Sequence, residues 1–145
     1  MSTHACEAAI LTCEDFRLHQ RKDGRNYIAD FMKENSIEGD IITRAGGVQD
    51  LVRPKDKGYI DSIIRDIGVS VNLHYARTVY LINHADCGAY KEFNLVGRLS
   101  EIEKHTEDLR EAARIITEQF PNITVKSYFG ELKEGSHDEF EIKEI

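Results

Sequence analysis

The sequence predicts an α/β domain built on a mostly parallel sheet with helices on both faces, and three observations lead there. Short apolar runs at residues 7–12, 40–43 and 78–83 lack a helical period and end in polar residues, as strands buried on both faces do. Longer stretches between them repeat apolar residues every three or four positions, the pattern of helices with one buried side. Strand and helix then alternate along the chain, which requires right-handed crossovers between parallel strands. The expected strand order is 2-1-3-4, completed by an antiparallel hairpin at the edge.

Each element has its own signal. The first strand, residues 7–12, empties into Cys13-Glu14-Asp15-Phe16-Arg17. Beyond Asp23-Gly24, the residues Tyr27, Ile28, Phe31 and Met32 recur at helical spacing until Asn35-Ser36, so a helix of about three turns is expected there. The second strand, residues 40–43, ends in Arg44-Ala45-Gly46-Gly47, where paired glycines permit a tight turn or a close backbone approach at the edge of a site. Residues 48–57 carry Pro54 and several charges and read as a loop. Ile60, Ile63, Ile64, Ile67 and Val71 mark a helix over residues 59–75. The third strand, residues 78–83, is apolar and β-branched and leads directly into His84-Ala85-Asp86-Cys87-Gly88. The longest helix, residues 95–120, is stopped by Pro121. Residues 123–129 form the fourth strand, and the alternation over residues 139–143 closes a terminal hairpin.

At 145 residues the chain fits one domain, 1–145, large enough to bury a core without disulfides. A net charge of −7 excludes the basic footprint of a nucleic-acid-binding or anionic-membrane-binding protein. No apolar run approaches the about 20 residues that cross a bilayer, and Met1-Ser2-Thr3-His4 lacks the start of a secretory signal, so a cytoplasmic location is expected. Three cysteines in such a chain point to metal or thiolate chemistry ahead of a disulfide framework.

The chemistry gathers at two strand ends. Cys13 closes the first strand, and His84 and Cys87 follow the third. In a sheet of order 2-1-3-4 these two strands flank the point where strand order reverses, the usual ligand position in open α/β sheets. An isolated His-x-x-Cys is common by chance, and an internal cysteine is most often a small buried hydrophobe; convergence of all three is what singles them out. Two thiolates and one imidazole suit zinc and leave a fourth tetrahedral position open, as a catalytic zinc needs. Zinc lowers the pKa of bound water from about 15.7 toward about 7, so a zinc-bound hydroxide is available at neutral pH. Asp15 is close enough to accept a hydrogen bond from that water or to take the fourth position itself, and Arg17 is its natural partner. The plainer reading of this pair is a cap and a solvated charge. Cys6 reads as a bystander, although His4-Ala5-Cys6 could chelate in principle. His19, His74, His105 and His137 read as surface or capping residues. The chain has no Gly-x-Gly-x-x-Gly after the first strand to support a dinucleotide site.

Cys13-Glu14-Asp15-Phe16-Arg17 and His84-Ala85-Asp86-Cys87-Gly88 resemble the two signature motifs of the β-class carbonic anhydrases, Cys-x-Asp-x-Arg and His-x-x-Cys-Gly. The likeness extends to Ile42-Thr43-Arg44-Ala45-Gly46-Gly47 and to Tyr128-Phe129-Gly130-Glu131-Leu132-Lys133-Glu134-Gly135, nearly the whole chain. The resemblance implies a β-carbonic anhydrase-like fold, zinc on Cys13, His84 and Cys87, and Asp15 with Arg17 as a catalytic dyad. It implies a zinc lyase that reversibly hydrates carbon dioxide to bicarbonate, acting as a homodimer or higher homo-oligomer. Two other readings stand beside it: hydrolysis of carbon disulfide or carbonyl sulfide, and a carbonic-anhydrase-like protein whose zinc is structural.

Overall fold

The computed structural model describes residues 4–145; residues 1–3, part of the start read above for a targeting signal, lie outside them. Five strands form one sheet: β1 (Ala8–Cys13), β2 (Gly39–Arg44), β3 (Thr78–His84), β4 (Thr124–Leu132) and β5 (Phe140–Glu144). Their order is β2-β1-β3-β4-β5, parallel except for the β4/β5 hairpin. This is the predicted topology.

Every residue of β1 is buried because the two faces of this central strand are both covered. Ala9 and Leu11 point into a core cluster with Val79 and Leu81 of β3, roofed by α2 (Gln49–Val52), α3 (Lys57–Leu73) and α4 (Arg98–Gln119). Ile10 points the other way, into a cluster with Ile82, Tyr128 and Phe140 that α1 (Tyr27–Glu34) covers through Ile28 and Phe31. The alternation of strand side chains thus feeds two cores from one strand. Side chains start the helices that matter most for this cover. Asn26 Oδ1 accepts from the Ala29 amide at 2.9 Å, and Asp56 Oδ1 accepts from the Gly58 amide at 2.7 Å, each satisfying an otherwise unpaired donor.

Several expectations are corrected. Residues 48–57 are not all loop: Gln49–Val52 make a helical turn because Val48 and Leu51 drop into the core while the charged neighbours face outward. The fourth strand extends to Leu132, since beyond Phe129 it also pairs with β5. Phe31, which the sequence counts with Tyr27 and residues 59–75 as apolar surface to spare for a second copy, is spent inside the chain, 4% exposed, in edge contacts with Tyr80 and Tyr128. His105, expected at the surface, is fully buried.

The Gly46-Gly47 turn takes left-handed backbone angles, φ +79° and +59°. A Cβ on Gly47 would collide with Asn83 Oδ1, which accepts the Val48 amide at 3.2 Å. The close approach that these glycines allow is to the strand that ends in His84. Among the described residues no helix is long and apolar enough to cross a membrane.

Candidate metal centre

β1 and β3 are parallel neighbours with Thr12 opposite Ile82, so their carboxyl ends finish side by side. Cys13 is the last residue of β1 and His84 the last of β3. Asp86, at φ +55°, then turns the chain back so that Cys87 returns to the same spot. The sulfurs of Cys13 and Cys87 and a ring nitrogen of His84 all lie within 4.8 Å of one another, and all three residues are buried. The two sulfurs are 3.9 Å apart, far beyond the about 2.05 Å of a disulfide.

The imidazole is fixed in one tautomer. His84 Nδ1 lies 2.7 Å from the Ala85 carbonyl, which only accepts, so Nδ1 carries the hydrogen and Nε2 holds a lone pair. That Nε2 is buried with no protein partner. An unpaired buried acceptor costs free energy, and this nitrogen together with the two sulfurs could hold a metal ion. The thiols are prepared as well. A hydrogen bond from Cys87 draws the Cys13 thiol down as an acid despite burial, and the same bond together with burial pushes Cys87 up.

Asp15 and Arg17 sit at the rim. The Asp15 carboxylate receives the Arg17 backbone amide at 2.9 Å, Arg17 Nε at 3.0 Å and one terminal nitrogen at 2.7 Å. Asp15 Oδ2 is 3.8 Å from His84 Nε2. Burial penalises the carboxylate, but the Arg17 hydrogen bonds outweigh it and bring the pKa down to about 2. Asp15 thus rests on Arg17, the partner expected for it. It also caps the following 3-10 turn, as the plainer reading of Asp15 expects, whereas Arg17 is not the solvated charge of that reading but is mostly buried.

Sequence reasoning missed the rest of the setting. Arg17 also donates to Asp86 Oδ2 at 3.0 Å, the Asp86 carbonyl at 3.0 Å and the His137 carbonyl at 2.8 Å. Its five N–H groups are therefore all engaged. Asp86 lay inside the second motif and could have been marked; nothing in the sequence announced the His137 carbonyl. Behind His84, Asn83 Nδ2 donates to His105 Nδ1 at 2.9 Å, and Tyr90 donates to Asp108 at 2.6 Å. Arg53 grips Asp108 with two bonds of 2.6 and 2.5 Å. His19 Nε2 donates to the Cys13 carbonyl at 2.8 Å, and His74 caps α3, as its reading as a capping residue anticipated.

A family model described as "Putative carbonic anhydrase" matches residues 3–139. The chain belongs to this β-carbonic anhydrase-like family. A protein of Rickettsia bellii described as uncharacterized is 32% identical over 125 residues, covering 82% of this chain and 73% of its own. Among solved structures, the carbonic anhydrase from Glaciozyma antarctica aligns with TM-score 0.58 at 17% identity, over 99% of this chain and 84% of that one. One of two tetrameric β-carbonic anhydrases from Sordaria macrospora aligns with TM-score 0.51 at 16% identity, over 98% and 81%. At these identities the two structures speak for the fold alone.

Proposed function

We propose that this chain is a single zinc-binding domain, 1–145, that reversibly hydrates carbon dioxide to bicarbonate. The observation that carries the reading is the buried convergence of Cys13, His84 and Cys87 with the partnerless His84 Nε2, bordered by an ionised Asp15. The donor set fits zinc: two sulfurs about 2.3 Å from one tetrahedral centre stand roughly 3.8 Å apart, against 3.9 Å between Cys13 and Cys87. Cys13, His84 and Cys87 would hold the ion, and Asp15 would remain on Arg17. When bound, zinc supplies Lewis acidity that makes a hydroxide nucleophile available near neutral pH.

The remaining work falls to the chain's own groups. Asp15, ionised with its pKa near 2, is too weak a base to keep a proton at neutral pH. Its part is to accept a hydrogen bond and so aim the nucleophile's lone pair at carbon dioxide. Arg17 is a positioning residue: with five donors engaged it cannot follow Asp15 inward, so the carboxylate stays at the rim. The rim opens on a cleft of about 490 Å³ lined by Asp15, Arg17, Arg21, Asp86 and Lys91. Asp138 lines the same cleft and pairs with Arg21 at 3.7 Å, so its cations and carboxylates balance.

Stopped-flow carbon dioxide hydration on metal-quantified protein tests the reading, with carbon disulfide assayed beside it. Zinc-dependent hydration is expected, and Cys87→Ser should abolish it together with the zinc of this one site. Zinc-loaded wild type with no hydration above background would overturn it. We further propose that the chain works as a homodimer or larger homo-oligomer, as the Sordaria macrospora tetramers do.

A further inference from the structure

A second set of metal-ligating side chains lies at the opposite pole of the sheet. The Cys6 sulfur, a carboxylate oxygen of Asp40 and a ring nitrogen of His74 all fall within 4.8 Å of one another, each residue partly buried. They come from three segments: Cys6 leads into β1, Asp40 is the second residue of β2, and His74 caps the end of α3. The candidate catalytic ligands stand at the carboxyl ends of the strands and these at the amino ends. Cys6 and Cys13 are seven residues apart on nearly extended chain, roughly 20 Å at about 3.3 Å per residue, so the two sets are separate.

We propose that Cys6, Asp40 and His74 form a second divalent-cation site of the zinc class, which ties the lead-in of β1 and the start of β2 to the end of α3. The donors are of mixed softness, one sulfur, one imidazole nitrogen and one carboxylate oxygen, a set that suits zinc and disfavours magnesium or calcium. Around a tetrahedral zinc such atoms stand about 3.3–3.8 Å apart. The present spread reaches that range by small side-chain rotations: Asp40 Oδ2 and His74 Nδ1, now hydrogen-bonded at 2.6 Å, part slightly, and the Cys6 sulfur moves in. Binding releases the Cys6 thiol proton and leaves a thiolate on the metal.

The supporting contacts are those a metal site uses. Ser70 Oγ donates to Asp40 Oδ2 at 2.7 Å, an outer hydrogen bond of the kind that orients a ligating carboxylate. The Cys6 amide donates to the His74 carbonyl at 2.8 Å, which fixes the cysteine beside the histidine; its thiol donates to the Ala8 carbonyl at 3.4 Å, a contact that metal binding would exchange for the ion. The C-terminal end of a 17-residue helix also favours a cation beside it. An Asp40–His74 hydrogen bond alone would be an ordinary helix-end contact and would need no third donor; the Cys6 sulfur within 4.8 Å of both is what makes a site.

The test titrates metal-stripped full-length protein with Co²⁺ under reducing conditions and measures metal per chain after gel filtration. Two equivalents are expected in wild type. Cys6→Ser and His74→Ala should each bind one, with carbon dioxide hydration retained. Cys87→Ser should also bind one, held by the second site, so failure of the catalytic assignment stays distinguishable. A wild type that takes one equivalent while Cys87→Ser takes none would overturn the proposal. So would two equivalents persisting in both Cys6→Ser and His74→Ala. Cadmium NMR of the wild type needs no substitution: two resonances are expected, the one-sulfur site more shielded, and a single resonance at saturation would overturn it.

Discussion

Asp15 and His105 show how burial and partners set what a single side chain can do. For Asp15, burial raises the cost of the charge, and Arg17 more than repays it, leaving a pKa of about 2. Activity should therefore show no inflection from Asp15 between pH 5 and 9. Asp15→Asn and Arg17→Ala should each lower kcat/KM by about 10²-fold or more with zinc content unchanged, measured by stopped flow beside metal analysis. Loss of zinc in either variant would make the pair structural. His105 is the reverse case: burial chiefly drives its pKa down from 6.5 to about 3. Its neutral ring packs on Tyr90 and Phe129 at 4.0 and 4.9 Å between centroids. Asn83 Oδ1 is spent on the Val48 amide, so Asn83 Nδ2 is the donor and His105 Nδ1 the acceptor. Between pH 6.5 and 3 the unfolded chain binds this proton and the folded one does not. The stabilisation is thus complete above about pH 6.5 and lost as pH falls toward 3, on the order of 4 kcal/mol in all. His105→Phe should flatten the fall of urea stability between pH 6.5 and 5; an unchanged slope would refute the assignment.

At the scale of elements, α4 and the Gly46-Gly47 turn brace the strand that delivers His84. Asp108 of α4 is buried, held by two Arg53 bonds and the Tyr90 hydroxyl, and the same Tyr90 receives Asn83 at 3.2 Å. Asp108→Asn keeps the shape but removes the charge these donors serve, so a loss of about 2 kcal/mol in urea unfolding is expected. Gly47→Ala should cost about as much, because φ +59° and the Asn83 amide both oppose a Cβ. Much of this was legible in the sequence. Ile102, His105, Leu109, Ala112 and Ile116 are spaced by three and four, which puts His105 on the buried stripe of α4; reading histidine as a surface residue by type concealed it. The sheet order and the Cys13, His84 and Cys87 grouping followed from apolar runs ending in ligand residues, since a strand fixes where its last side chain stands. The four-residue α2 was not legible, being too short to show a period. Nor were the pairings of Arg17 with Asp86 and His137, 69 and 120 positions away: the first forms where β1 and β3 end side by side, the second once the β4/β5 hairpin closes.

For the whole molecule, two questions remain physical ones: what covers its outer apolar groups, and whether the fold depends on metal. β2 is an edge strand, and Ile41 on it is 48% exposed, as are Tyr59, Leu73 and Tyr75 of the α3 region by 44–61%. An open edge beside such groups invites a second copy. Light scattering at micromolar concentration should find a dimer or larger species, and an active monomer would count against it. The answer on metal follows from where the core lies. One apolar cluster joins Ala9, Leu11, Val79 and Leu81 to α2, α3 and α4 and contains none of the three candidate ligands. The other includes Cys13 and Cys87 but is built mainly on Ile10, Leu18, Ile28, Phe31, Ile82 and Phe140. Neither needs a metal to bring its members together, and a chain of 145 residues buries enough apolar surface to fold without one. A zinc that served as the staple of the fold would give the opposite behaviour, unfolding on chelation as small zinc domains do. Stripping the metal should therefore abolish hydration while circular dichroism and a cooperative urea transition persist, and added zinc should restore activity without a refolding step. Collapse of the far-ultraviolet signal on chelation would instead assign the ion to the architecture, and the catalytic reading would lose its footing.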